Sequence, residues 1–321
     1  MTAPTNTMST LTNIGQREDL EDKIYRVAPE ETPFTSNIGS VNGKARTHEW
    51  QTETLAAPVA TNAQLEGDDY TAAAGNLTTR LKNIMMISAA AFTISRSSDI
   101  VETAGRSTET NRMKGIRGLE VRRDFEMRAI GNYASVEESG ATTRKSAGAL
   151  AWLTSNDSRG GGAGADGGYS GGLVSAATNG TQRTFTEALF KTCMSNLFTS
   201  RGGGKRTYQA YMSGTHKQQF SAFTGIAAIR KDAPGNSMAT IIGAADTYVS
   251  DFGDVALIPH PYGLTRDCFI CDPDMWAVAT LDGMSTRQLG ATGDATKWLI
   301  TMEKCLVSRN EKASAVVADL S

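Results

Sequence analysis

Three stretches of the chain carry the helical spacing of apolar residues. Arg17 to Ala28 puts Leu20, Ile24 and Val27 on one face, and Pro29 stops it. Pro33 is expected to keep the next stretch extended. Thr108 to Ala134 is the longest and contains no proline. Met113, Ile116, Leu119, Ile130 and Tyr133 give it an apolar side, while Arg112, Arg117, Arg122, Arg123, Glu126 and Arg128 belong to a dense charged face. Gly115, Gly118 and Gly131 each cost about 1 kcal/mol relative to Ala inside a helix, so they predict a bend or the close approach of another backbone. Thr184 to Thr199 repeats Leu189, Cys193, Met194 and Leu197 between a threonine cap and Gly202-Gly203-Gly204.

Elsewhere the period is two. Arg46 to Thr54 alternates as a weakly amphipathic strand, and Asn83 to Arg96 is its expected partner. Between them, Leu55 to Arg80 makes a long two-stranded excursion whose irregular tip carries Glu66, Asp68 and Asp69. Such a ribbon is marginal alone in water and needs a partner surface. Further strands are expected at Thr207–Met212, Cys268–Cys271, Met275–Leu281 and Ser285–Leu289, with a short helix at Thr215–Phe223. Asp246 to Ile258 reads as a hairpin around Asp251–Asp254, and Trp298–Cys305 with Ala313–Asp319 as a terminal strand pair. The class is α+β.

Residues 1–44, 55–80 and 139–183 lack core periodicity, and the last is dominated by Gly, Ala, Ser and Thr around an apolar island at Leu150–Leu153. Structureless connections beyond ~12–15 residues are uncommon inside one compact domain. Three of them predict arms and loops that fold against neighbouring subunits, which points to assembly.

Charge narrows this further. The 321 residues hold 32 Lys+Arg against 34 Asp+Glu, with the signs interspersed. The basic excess of a protein that grips nucleic-acid phosphates is missing, so only loose contact with nucleic acid is expected. The most apolar run, Ile84–Ile94, is about half the ~20 residues a membrane helix needs.

Catalytic chemistry finds little support. Cys268-Phe269-Ile270-Cys271 is a CxxC in a strand-like run, with Cys193 and Cys305 too isolated in sequence to complete a zinc site, so buried thiols are the expectation. His48, His216 and His260 have no metal-like spacing and read as loop or surface residues. Gly162 to Gly167 satisfies GxGxxG, yet no apolar strand precedes it and more glycines follow. Gly204-Lys205 lacks the Ser/Thr of a phosphate loop. No catalytic residue, metal or cofactor is predicted.

One resemblance is specific. Asp19-Leu20-Glu21-Asp22-Lys23-Ile24-Tyr25, then Pro29-Glu30-Glu31-Thr32-Pro33-Phe34, resembles the opening of a family of tailed-bacteriophage major head proteins. His48–Thr52 and Asn62–Gly67 are similar in kind and order, and the likeness covers roughly the first 100 residues. It implies a Hong Kong 97-type capsid fold. The N-terminal arm would be 1–44 and the E-loop with its base 45–96. A peripheral domain would comprise 97–205 and 294–321, with a spine helix at about 108–134 and the Gly-rich loop 139–183, and an axial domain 206–293. It also implies hexamers and pentamers in an icosahedral head around double-stranded DNA. A separate scaffolding protein and a portal are the implied partners, and a decoration protein is left open. The family alternative is the shell of a bacterial nanocompartment; a head-assembly enzyme is the remote one. Leu20, Ile24, Trp50, Glu66, Asp68, Asp69, Arg117, Arg122 and Arg123 are the candidate inter-subunit contacts, with the loop acids pairing to a neighbour's helix arginines. Some shells of this fold join neighbours by Lys–Asn isopeptide bonds. Lys82 lies near the loop, but no motif matches that chemistry and no cross-link is expected.

Overall fold

A computed structural model describes residues 24, 26, 28–67, 69, 75, 77–201, 206–223, 246–291 and 293–321. The helix expected over 17–28, Leu20 included, lies mostly outside the described residues.

In chain order the first elements are α1 (Pro33–Asn37), β1 (Gly39–Asn42), β2 (Thr47–Thr52), β3 (Thr79–Ile84) and β4 (Met86–Ser95). Next come α2 (Arg96–Ile100), α3 (Glu109–Ile130), α4 (Ala149–Trp152), β5 (Asp157–Ser158), β6 (Gly168–Ser170) and β7 (Leu173–Ser175). Then follow α5 (Glu187–Arg201), β8 (Arg206–Met212), α6 (Gly214–Ser221), β9 (Thr247–Ser250) and β10 (Gly253–Pro259). The chain continues through β11 (Cys268–Cys271), β12 (Trp276–Leu289), β13 (Ala295–Ser308) and β14 (Ser314–Val317).

Two sheets organise these elements. One is four-stranded, β1-β12-β13-β4, with α3 lying across β4 and β13. The other is six-stranded, β5-β14-β11-β8-β10-β9, and is packed by α5 on β14 and α6 on β10. One core joins α3 to both sheets through Phe34, Phe125, Trp152, Tyr211, Phe269 and Trp276. A second gathers Phe190, Met194, Leu197, Phe220, Val255 and Ile270 under α5 and α6.

Several expectations change. Residues 33–37 form a helix rather than an extended stretch, because proline's missing N–H is no loss in a first helical turn. The expected strand 83–96 is broken at Met85, which is fully buried among Ala277, Ala279, Cys305 and Val307. Its N–H donates to the Arg46 carbonyl (2.9 Å). Residues before the break pair with β2, and residues after it pair with β13. The terminal strands do not pair with each other: β13 runs between β12 and β4, while β14 sits between β11 and β5.

A boundary at 293/294 therefore does not separate the two sheets. Strand β12 belongs with β13 beneath α3, whereas α5, β5 and β14 belong to the six-stranded sheet. Long-range strand pairing overrides sequence adjacency here.

Helix α3 is capped by the Thr108 hydroxyl, which accepts the Asn111 N–H at 3.3 Å. It ends where the chain returns: a Cβ at Gly148 would lie 2.1 Å from the Gly131 carbonyl oxygen. Its buried stripe is Val121, Phe125, Glu126, Ala129 and Ile130, so Glu126 leaves the charged face assigned to it from sequence.

Candidate assembly surfaces

The Pro29–Phe34 motif is where the N-terminal segment grips the body. Phe34 is fully buried, edge-on to Tyr211 (5.5 Å), Phe269 (5.8 Å) and Trp276 (6.3 Å). The Glu126 carboxylate, also fully buried, accepts the Phe34 N–H at 2.6 Å and the Thr35 N–H at 2.9 Å, and it takes the Thr35 hydroxyl. The amides at the start of α1, which have no acceptor within the helix, are thus satisfied by a carboxylate, the arrangement a helix N-terminus favours. His260 Nε2 lies 2.8 Å from the same carboxylate; it sits in the loop after β10 but is buried, so it is not the surface residue that the sequence allowed. His216 is likewise buried, and burial lowers its pKa. Nearby, the Tyr262 hydroxyl donates to the Pro29 carbonyl (2.8 Å), and the Arg123 guanidinium rests 5.2 Å over the Tyr262 ring.

The ribbon β2–β3 is fastened at its base. Trp50 packs on Trp152 at 5.5 Å, and Trp152 stacks on Tyr169 at 5.8 Å, so Trp50 is used first within its own chain. Lys82 Nζ pairs with Glu137 (2.9 Å). Asn83, fully buried, donates to the Leu306 carbonyl (2.6 Å) and accepts the Ala147 N–H (3.0 Å), tying the ribbon to β13.

Beyond its base the ribbon opens into a loop in which every described residue from 53 to 78 is exposed. Leu55 is 89% exposed, Leu65 76% and Leu77 91%, each costing about 1.5–3 kcal/mol of unrealised burial. Glu66 and Asp69 are exposed there, and Asp68 lies outside the described residues. Ile24 is 46% exposed.

The three helix arginines diverge. Arg117 pairs with Glu120 on its own helix (2.6 Å), Arg123 is occupied by Tyr262, and Arg122 is exposed. Within one chain, no ion pair among the described residues joins Glu66 to any of them. Arg122 instead faces a cleft of about 310 Å³ lined by Thr32, Thr35, Ser36, Thr280 and Lys304. Burial lowers the Lys304 pKa, and the Arg122 charge lowers it further. Sequence reasoning missed Lys304, Glu126 and His260, since nothing in local spacing marks which charged side chains turn inward.

Among the described residues no group of His, Cys, Asp and Glu could hold a metal ion, and no helix is long and apolar enough to cross a membrane. All four cysteines are free and buried, and burial pushes the Cys193 and Cys305 thiols up to about 12. These are packing residues rather than nucleophiles.

The family model for the SU10 major capsid protein matches residues 3–321. The chain belongs to the SU10 major capsid protein family. No curated sequence matches it. The cyanophage A-1(L) capsid asymmetric unit superposes with a TM-score of 0.66 at 11% identity, covering 98% of this chain and 99% of that one. A capsid chain of a native GTA particle gives 0.59 at 14% identity, covering 97% of each, and a chain of Mycobacterium phage Bobi gives 0.60 at 9%, covering 98% and 97%. The fold is the Hong Kong 97-type capsid fold. This SU10-family subunit is a structural protein of an icosahedral phage shell, self-associating in the virion, and not an enzyme.

Proposed function

We propose that this subunit builds hexamers and pentamers of a head enclosing double-stranded DNA, with the segment before Pro33 serving as an arm and residues 53–78 as the E-loop that lies on a neighbour. The observation that carries this is the exposed loop, in which Leu55, Val59, Leu65 and Leu77 all face solvent beside Glu53 and Glu66. A peripheral unit would be α3 with the four-stranded sheet, and an axial unit the six-stranded sheet with α5 and α6. A separate scaffolding protein, a portal and a decoration protein are the partners during assembly in the host cytoplasm, and contact with packaged DNA is loose because net charge is only -2.

Electron microscopy of the full chain co-expressed with its scaffolding protein tests this. Closed particles of hexamers and pentamers are expected. Soluble monomers at micromolar concentration would overturn it. Particles filled with an enzyme cargo and devoid of DNA would instead favour a nanocompartment, which the family match does not. Lys82 is engaged by Glu137, so denaturing gels of mature particles should show monomers only, without a ladder of covalent multimers.

A further inference from the structure

Arg122 and Lys304 are two cations that approach one another with no acid between them. Arg122 projects from α3 and Lys304 from β13, and among the described residues neither has an ion-pair partner. Lys304 is half-buried, so its charge is poorly solvated. Hydroxyls of Thr32, Thr35, Ser36, Ser40 and Thr280 surround the pair. Two like charges, with the hydroxyls of Ser40 and Thr280 beside them and no carboxylate in the lining, make a recess that an anion would stabilise.

One wall of this recess is α1, and α1 hangs on Glu126. Thr35 lines the cleft and gives both its N–H and its hydroxyl to the Glu126 carboxylate. Arg122 precedes Glu126 by four residues and so lies on the same face of α3, one turn earlier. The clamp that holds the arm therefore also sets the shape of the basic recess.

The chain supplies a matching anion. Between Thr52 and Thr79 it has Glu53, Glu66, Asp68 and Asp69 and no Lys, Arg or His. A track for a nucleic-acid backbone carries a longer run of cations than two. Resting on the shell reading above, we propose that the cleft between α1, α3 and β13 receives carboxylates of the β2–β3 loop of a second copy, and that it is a complete site only while α1 is docked on Glu126. Arm docking then precedes loop docking at each contact.

The test uses the full-length, unassembled subunit and a fluorescently labelled peptide of residues 60–72, followed by anisotropy at low salt. The parent is expected to bind the peptide, and R122A/K304A to bind it about tenfold or more weakly. The conservative R122K/K304R should retain binding, which separates lost charge from lost fold. Glu126→Gln, which leaves both cations in place, should also weaken binding severalfold. Parent-like binding by R122A/K304A, or no binding by the parent, overturns the cleft assignment. Parent-like binding by Glu126→Gln overturns the dependence on the arm. Displacement of the peptide by a short thymidine oligonucleotide would assign the cleft to nucleic acid and overturn the proposal. In parallel, closed particles from R122E/K304E at parental yield would sink the cleft and leave the shell reading intact, whereas absence of particles from the parent chain would sink the shell reading itself.

Discussion

Two segments of this chain look alike in sequence and behave oppositely in the fold. Residues 53–78 and 139–183 are both polar, small-residue-rich and aperiodic. The first stays exposed throughout its described residues, while the second packs into its own subunit, with Leu150, Ala151, Trp152, Leu153 and Val174 buried. The expectation that both wait for neighbours is therefore corrected for 139–183. Its backbone polar groups have internal partners, as burial requires. Ser135 Oγ accepts the Val174 N–H (2.7 Å), Asn132 exchanges hydrogen bonds with Ala177 in both directions, and Asp319 accepts the N–H groups of Gly160 (3.0 Å) and Gly180 (2.8 Å). Glycine matters where stretches of backbone cross: besides Gly148, a Cβ on Gly160 would sit 2.0 Å from the Thr181 oxygen. An apolar island plus polar side chains elsewhere in the chain make the difference, not the composition of the loop.

The contrast can be broken most strongly at Trp152. Trp152→Ala removes the middle of the Trp50–Trp152–Tyr169 stack and should cost about 3–5 kcal/mol of subunit stability, measured by urea unfolding. Asp319→Ala leaves two loop N–H groups without their acceptor, takes the ion-pair partner from Arg266 and should cost about 2–3 kcal/mol. Hydrogen exchange should then rise at residues 160 and 180 before it rises in β8.

A smaller effect is set by pH. Asp157 is pushed up to about 6, first by burial and then by its hydrogen bond with Asp166, which is itself held below the usual carboxylate range by that bond and by Arg159. Because the folded value of Asp157 lies above its ordinary one, its contribution is full below about pH 4 and is lost as pH rises through about 6. Asp166 acts oppositely, losing its contribution in acid, so the segment is held best near pH 4 to 6, where the pair shares one proton. After correction for the base catalysis of intrinsic exchange, protection at residues 160–167 should be lower at pH 7.5 than at pH 5 by about 1 kcal/mol, and Asp157→Asn should flatten the difference. Parental pH dependence in that variant would refute the assignment.

The least effect on the isolated subunit belongs to the exposed segment. Leu65→Ser should leave urea stability within about 0.5 kcal/mol while lowering the yield of closed particles. A stability loss like that of Trp152→Ala would mean that the loop is covered by its own chain.

What could be read from sequence followed from local rules. The extent of α3, though not its buried stripe, the hairpin of β9 and β10 and the buried CxxC of β11 each depend on neighbours a few residues away. What could not be read depended on distant partners. Glu126 looks like any charged residue of a charged helix, and only Phe34 and Thr35, about ninety residues earlier, turn it into an anchor. Met85 looks like the middle of a strand until β12 and β13 surround it. Of the proposed contacts, Arg122 retains an open charge, whereas Arg117 and Arg123 are taken up locally, and Lys304 emerges only from the packing of β13 beside α3.

That break at Met85 has a mechanical consequence. Ribbon and sheet are one continuous chain up to a single buried side chain, after which the strands answer to different partners. The ribbon is thus a lever with its fulcrum in the body. At ~3.4 Å per residue its six-residue strands are ~20 Å long, so a tilt of ~10° at the fulcrum carries their far end by about 3.5 Å. A closed surface made from one kind of tile must seat that tile at several curvatures; on the assembly proposed above, a pivot at Met85 would let the reaching end find its neighbour while the body of the tile keeps its shape.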